Sequence, residues 1–194
     1  MHSDSIPQCH ILAIPGSLRR DSLNLRLLRA AAILAPPGVV ITVYEDFHAI
    51  PLFNEDLEPV LSQESPLSRL GNLVKNAHAV LISTPEYNQS MPGVLKNLLD
   101  WLSRPCLGNC LESKPVALIG ATAGRWGTRL AQAALRQTLF AVDSVVLTGP
   151  ALCLAGAAAA FNASGELVDA NAQRALHSVL LGLQQLAVVR PTLA

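Results

Sequence analysis

A chain of 194 residues has the length of one domain rather than two. Its 14 lysines and arginines balance 14 aspartates and glutamates, for a net charge of zero; this excludes a general nucleic-acid binder, which needs a basic surface to displace counterions, and speaks against an acidic electron shuttle steered by its overall field. Charged residues make up only 14% and hydrophobic ones 51%, a balance that fits a sheet buried on both faces with apolar surface left for a subunit interface.

Met1 to Gln8 is polar and does not read as a signal peptide. His10 to Ile14 is an apolar run ending at Pro15-Gly16, a buried strand feeding a turn. Ser22 to Ala35 follows as a helix with Leu23, Leu27, Ala30, Ala31 and Leu34 on one face, stopped by Pro36-Pro37-Gly38. Val39 to Tyr44 alternates and is β-branched, a second strand. Asp46 to Glu64 has no clean period and reads as a long connection. A helix from Pro66 to about Ala77 precedes a third buried strand, Ala79 to Ser83. Pro92 sits in the first turn of a helix running to about Leu102. Val116 to Ile119 is a fourth strand, Gly127 to about Phe140 a helix, and Val142 to Leu147 a fifth strand. Ser144 to Gly165 carries no charge, yet Gly149-Pro150, Asn162 and the alanine run make it a strand and loop rather than a membrane span. Asp169 caps a last helix with an apolar stripe of Ala172, Leu176, Val179, Leu183 and Leu186. Five strands alternating with helices imply a parallel sheet in a flavodoxin-like or Rossmann-like doubly wound order. With no repeat and no linker, residues 1–194 read as one domain. In either order, ligands bind at the carboxyl ends of the strands, so the loops after strands one, three and four carry the chemistry.

The first loop is Gly16-Ser17-Leu18-Arg19-Arg20-Asp21-Ser22-Leu23-Asn24. A glycine in the turn, hydroxyls at Ser17 and Ser22, the Asn24 amide and the Arg19 guanidinium surround a helix start, where unpaired N–H groups and the positive helix end attract a phosphate. Neither a Gly-x-Gly-x-x-Gly fingerprint nor a Walker loop is present, so a monophosphate is the natural guest. The same residues also describe a serine-capped helix with solvent-facing arginines.

The second loop runs Thr84-Pro85-Glu86-Tyr87-Asn88-Gln89-Ser90-Met91-Pro92-Gly93-Val94-Leu95-Lys96-Asn97-Leu98-Leu99-Asp100-Trp101. Together with Gly-Ser-Leu-Arg, Ser22 and Asn24, it resembles the NADPH-dependent FMN reductase family, which includes flavodoxin-like quinone, azo-dye and chromate reductases; the resemblance runs from about Ile11 to Asp143. It implies a flavodoxin-like doubly wound five-stranded parallel sheet in the order 2-1-3-4-5, with helices on both faces. It also implies that Gly16, Ser17, Leu18, Arg19, Ser22 and Asn24 hold the phosphate of FMN, while Pro85, Glu86, Tyr87 and Asn88 line the isoalloxazine edge. In the third loop, Gly120 to Arg129, the family's glycine-rich turn leaves Thr122 and Gly124 beside the flavin. There Trp126 and Ala123 stand where glycines are usual, a departure that bears on pocket width. Arg129 matches an arginine that approaches a partner subunit's flavin site in related quinone reductases.

The activity implied is a ping-pong NAD(P)H oxidoreductase in a cytoplasmic homodimer or homotetramer. Hydride passes from NADPH or NADH to flavin N5, then onward to a quinone, azo compound, metal oxyanion or free flavin, with no side chain as covalent nucleophile. Arg19 would favour NADPH through its extra phosphate. The alternatives are an enzyme that supplies free reduced flavin and a flavodoxin-like electron carrier. Cys9, Cys106, Cys110 and Cys153 follow no disulfide or zinc pattern, and His2, His10, His48, His78 and His177 lack metal spacing. Asp100 and Trp101 read as packing residues, and Asn54, Glu55 and Asp56 as a rim or dimer-surface loop without a catalytic role.

Overall fold

The computed structural model describes residues 9–46 and 49–189; His2 and His48 lie outside them. The strands are β1 (Cys9–Pro15), β2 (Val39–Val43), β3 (Ala79–Ser83), β4 (Pro115–Ala121), β5 (Val145–Val146) and β6 (Leu152–Leu154). The helices are α1 (Leu23–Ile33), α2 (Pro66–Asn76), α3 (Gly93–Leu102), α4 (Arg129–Ala141) and α5 (Ala170–Val189). All pairings are parallel, in the order β2-β1-β3-β4-β5, with β6 also on β4. This is the flavodoxin-like order.

Successive strand residues serve opposite faces, as the period of two requires. Ile11, Ala13, Ala117 and Ile119 pack with Leu27 and Leu28 of α1 and with Leu176, Val179, Leu180 and Leu183 of α5. Leu12, Ile14, Val80, Ile82, Val116 and Leu118 pack with Leu67, Leu70 and Val74 of α2, with Leu95, Leu98 and Leu99 of α3, and with Leu135 and Leu139 of α4. The expected last-helix cap is present, with Asp169 Oδ1 accepting from the Ala172 amide at 2.8 Å.

The expected fifth strand is corrected. Its position is shared by two short strands, β5 against the start of β4 and β6 against its end. Ala141 still belongs to α4, and Asp143 takes a left-handed φ of 56°. Beyond β5, Gly149-Pro150 interrupts the ladder because proline has no N–H to give it.

At the amino end of the sheet, two buried groups close helix ends. The Lys114 ammonium donates to the carbonyls of Lys75 (3.2 Å) and Ala77 (2.7 Å) behind α2, and burial lowers its pKa. The Cys110 thiol donates to the Leu102 carbonyl at 3.3 Å, and burial pushes its pKa up to about 11. The long connection lies along α3. The Pro51 carbonyl accepts from Asn97 (3.0 Å) and from the Trp101 indole (2.9 Å), while Arg104 pairs with Glu55 and Glu58. Trp101 is therefore a packing residue, and Asn54 Oδ1 accepts from the Asp56 amide to start a six-residue 3₁₀ helix, Glu55–Val60.

Candidate active site

Parallel strands deliver β1, β3 and β4 to one edge, where short bonds clamp their ends together. Gly16 N–H donates to Ser83 O (2.7 Å), and Thr84 N–H to Ile119 O (3.0 Å). A Cβ on Gly16 would lie 3.1–3.2 Å from Leu95 and from the Ser83 and Thr84 backbone. A Cβ on Gly120 would lie 2.5 Å from the Thr84 carbonyl and would strike the Thr128 hydroxyl. These glycines set how closely the three loops approach one another.

Asn24 carries that clamp with its side chain, which leaves only its backbone amide for a phosphate. It is 2% exposed, its Oδ1 accepts from the Ser83 hydroxyl and the Ala121 amide, and its Nδ2 donates to Ala121 O, all at 2.9 Å. It stands behind the first loop and fixes it to the sheet.

In front, the loop keeps its donors. Ser22 is the N-cap of α1, accepting from the Leu25 amide at 3.4 Å, and Ser17 Oγ accepts from the Arg19 amide at 3.3 Å. The amides of Ser17, Leu18, Arg20, Asp21, Leu23 and Asn24 meet no acceptor among the described residues. Arg19 and Arg20 are exposed, and neither forms an ion pair among the described residues. Ser17, Leu18, Arg19 and Arg20 line a cavity of about 220 Å³ whose far wall holds the Arg29–Glu45 pair at 2.9 Å. The helix is serine-capped, and its remaining amides and exposed guanidiniums are donors of the kind that suits a phosphate monoester.

The second loop is a tight turn. Tyr87 and Ser90 exchange backbone bonds at 2.9 and 3.0 Å, and Asn88 and Gln89 both have positive φ, 50° and 64°. This is the requirement of a type I′ turn. The Tyr87 amide is thereby consumed within the turn. The amides of Glu86, Asn88 and Gln89 have no acceptor among the described residues. Gln89 was missed, because glutamine carries no left-handed turn signal; Asn88 does. The Tyr87 side chain is exposed and Pro85 is buried.

The Glu86 side chain serves a different element. Its Oε2 accepts from the amides of Leu130 (2.8 Å) and Ala131 (3.0 Å), capping α4 from a distant loop. Thr128, the residue before that helix, makes no side-chain cap; its hydroxyl accepts from Gln132 at 3.1 Å. No local spacing signals such a cap.

The third loop is stitched to the segment after β6. Thr122 N–H donates to Leu154 O, Ala157 N–H to Thr122 O, and Gly156 N–H to Gly124 O. The Thr122 hydroxyl accepts from the Gly124 amide at 3.2 Å. Gly127 needs its left-handed φ of 72° to pass Cys153. Trp126 is 71% exposed, with the Arg125 guanidinium 4.8 Å from its ring. Arg129 is exposed at the start of α4. His10 and His78 lie at the opposite, amino end of the sheet, the His10 amide donating to His78 Nδ1 at 3.0 Å.

A family model described as NADPH-dependent FMN reductase matches residues 9–159. An NAD(P)H-dependent FMN reductase of Pseudomonas aeruginosa is 43% identical over 90% of this chain and 92% of its own length. A 2-hydroxy-1,4-benzoquinone reductase of Burkholderia is 35% identical over 88% and 91%. Among solved structures, the flavoenzyme NAD(P)H:(acceptor) oxidoreductase of Paracoccus denitrificans aligns with a TM-score of 0.84 at 31% identity, covering 93% of this chain and 98% of that one. The sheet order, the phosphate-suited loop and a match over most of the chain agree: the chain belongs to the NADPH-dependent FMN reductase family of oxidoreductases.

Proposed function

We propose that this enzyme takes electrons from NAD(P)H and delivers them to a quinone or a similar small acceptor, with FMN held across the three loops. The observation that carries the reading is the first loop: six amides without acceptors lie beside two arginines unpaired among the described residues, on a segment bonded to the end of β3 from which the Tyr87 turn departs. The residues fit FMN at both ends. A phosphate suits the amides, Ser17 and Arg19; an electron-rich ring edge suits the amides of Glu86, Asn88 and Gln89. Ser22 and Asn24 shape the first loop from behind, and Pro85 shapes the second. Thr122, Gly124 and Arg129 frame the third side.

When bound, FMN supplies the hydride-accepting and electron-donating chemistry. The protein's own groups bind, orient and exclude. Fixed amide dipoles favour negative charge without reorganising, and no side chain in the three loops is required as a nucleophile. The exposed Tyr87 and Trp126 offer aromatic surface to a flat guest.

Quinones lead among the acceptors because several relatives bear that name, including a quinone reductase of Pseudomonas putida, 37% identical over 82% of this chain. The similarity to an FMN reductase favours a second reading, release of reduced flavin. A cytoplasmic homodimer or homotetramer is part of the proposal, supported by Leu52 and Phe140, which are 82% and 80% exposed. Among the described residues no helix is long and apolar enough to cross a membrane. The test is anaerobic addition of NADPH to the flavin-loaded protein. Bleaching of the flavin band, and its return on adding a quinone, is the expected result. Absence of bleaching would make the protein an electron carrier, and turnover with free FMN above that with any quinone would select the second reading.

A further inference from the structure

Glu86 spends its carboxylate on α4, although it stands in the loop expected to face the flavin ring. Two charge-assisted bonds join its Oε2 to Leu130 and Ala131, where the positive end of a 13-residue helix adds its dipole. One residue later the chain enters a turn with two successive non-glycine residues at positive φ. Each such residue costs about 1–2 kcal/mol, so the shape persists only where its flanks are fixed. Buried Pro85 and Pro92 fix the ends, the Tyr87–Ser90 pair closes the middle, and Glu86 ties the near side to a different element.

We infer that Glu86 is a positioning residue: its carboxylate latches the Tyr87–Ser90 turn to α4 and so aims the turn's free amides at the ring of a bound flavin. The inference rests on the reading that the ring lies at this turn. The latch also makes the turn and the start of α4, just beyond the Arg125–Trp126 stack, a single rigid unit. It removes the helix end of α4 from competition for the phosphate, leaving α1 as the anion seat.

The test measures FMN and riboflavin dissociation constants by fluorescence quenching on the full-length apoprotein. Loss of bonds to a charged acceptor predicts that Glu86→Ala weakens both flavins by the same factor, about tenfold. Glu86→Gln, which keeps an acceptor oxygen, restores most of the loss. A merely structural role would lower the melting temperature of Glu86→Ala and leave both affinities alone. An unchanged riboflavin affinity, or a loss confined to FMN, overturns the latch. Should Glu86→Ala fail to fold, the wild-type protein decides: because coupling is reciprocal, riboflavin must slow hydrogen exchange at the Leu130 and Ala131 amides, and unchanged exchange overturns the inference. Arg19→Ala separates the underlying reading, since it weakens FMN and spares riboflavin when the phosphate sits at α1. A wild-type protein that binds neither flavin overturns the reading and the latch together.

Discussion

A single carboxamide holds together the edge on which the site stands. Asn24 satisfies the N–H and the carbonyl of Ala121 and the Ser83 hydroxyl in a place where water does not reach. Asn24→Ala leaves those groups without partners, so the apoprotein should lose roughly 3 kcal/mol in urea unfolding. Asn24→Asp should lose a comparable amount at neutral pH, because a carboxylate faces the Ala121 carbonyl; a loss under about 1 kcal/mol in either variant would deny Asn24 this role. At the other end of the sheet, Cys110 gives a prediction in pH. Its thiol pKa is about 11 when folded, against 9.0 as the ordinary value. Between those values the folded chain retains a proton that the unfolded chain has released, so stability falls as pH rises from 9 to 11. The loss is at most about 2–3 kcal/mol, and Lys114 opposes it, since its lowered pKa makes folding easier as pH rises towards 10.5. Urea unfolding at both ends of that window should show a smaller loss for Cys110→Ala than for the native chain. Equal losses would rule Cys110 out as the cause.

Elements that announced themselves did so through local chemistry. The run Ala79–Ser83 is both expected and observed as a strand, because unbroken apolar residues between turns leave little choice. The Ser22 cap and the Pro36-Pro37-Gly38 stop frame α1 in the same way. What stayed hidden depends on contacts between distant segments. The division of the fifth strand position into β5 and β6 is decided by pairing with two halves of β4, and the α4 cap comes from Glu86, 44 residues before Leu130. Within the site, the motif gave the loops but not the jobs of Asn24 and Glu86, since side-chain direction follows from packing and not from residue type. The Tyr87–Ser90 turn shows the mixture. Asn88 suits its left-handed backbone and Gln89 does not. Gln89→Gly supplies the Asn-Gly pair that type I′ turns prefer, and should stabilise the apoprotein by about 0.5–1 kcal/mol, raising Tm by about 2 °C. An unchanged or lower Tm would mean that the Gln89 side chain contributes more than the backbone strain costs.

At the scale of the whole molecule, a neutral chain has no general attraction for anions, so affinity for a phosphate must come from one place. In the proposed reading that place is the free N–H groups and guanidiniums at α1, on an edge where three loops from distant parts of the chain meet. A ligand spanning them binds the folded chain and not the unfolded one. At a hundredfold excess over its dissociation constant it adds about 2.7 kcal/mol, which for a domain of this size raises Tm by about 5–10 °C. FMN and riboflavin share the ring and differ in the phosphate. At equal concentration FMN should therefore give the larger shift, and added salt should narrow the difference by screening the exposed Arg19 and Arg20. Thermal unfolding with each flavin at low and high chloride measures both effects. Equal shifts at low salt would mean that the phosphate gains nothing from this fold, and the loop from Gly16 to Asn24 would lose its place as the anchor of the site.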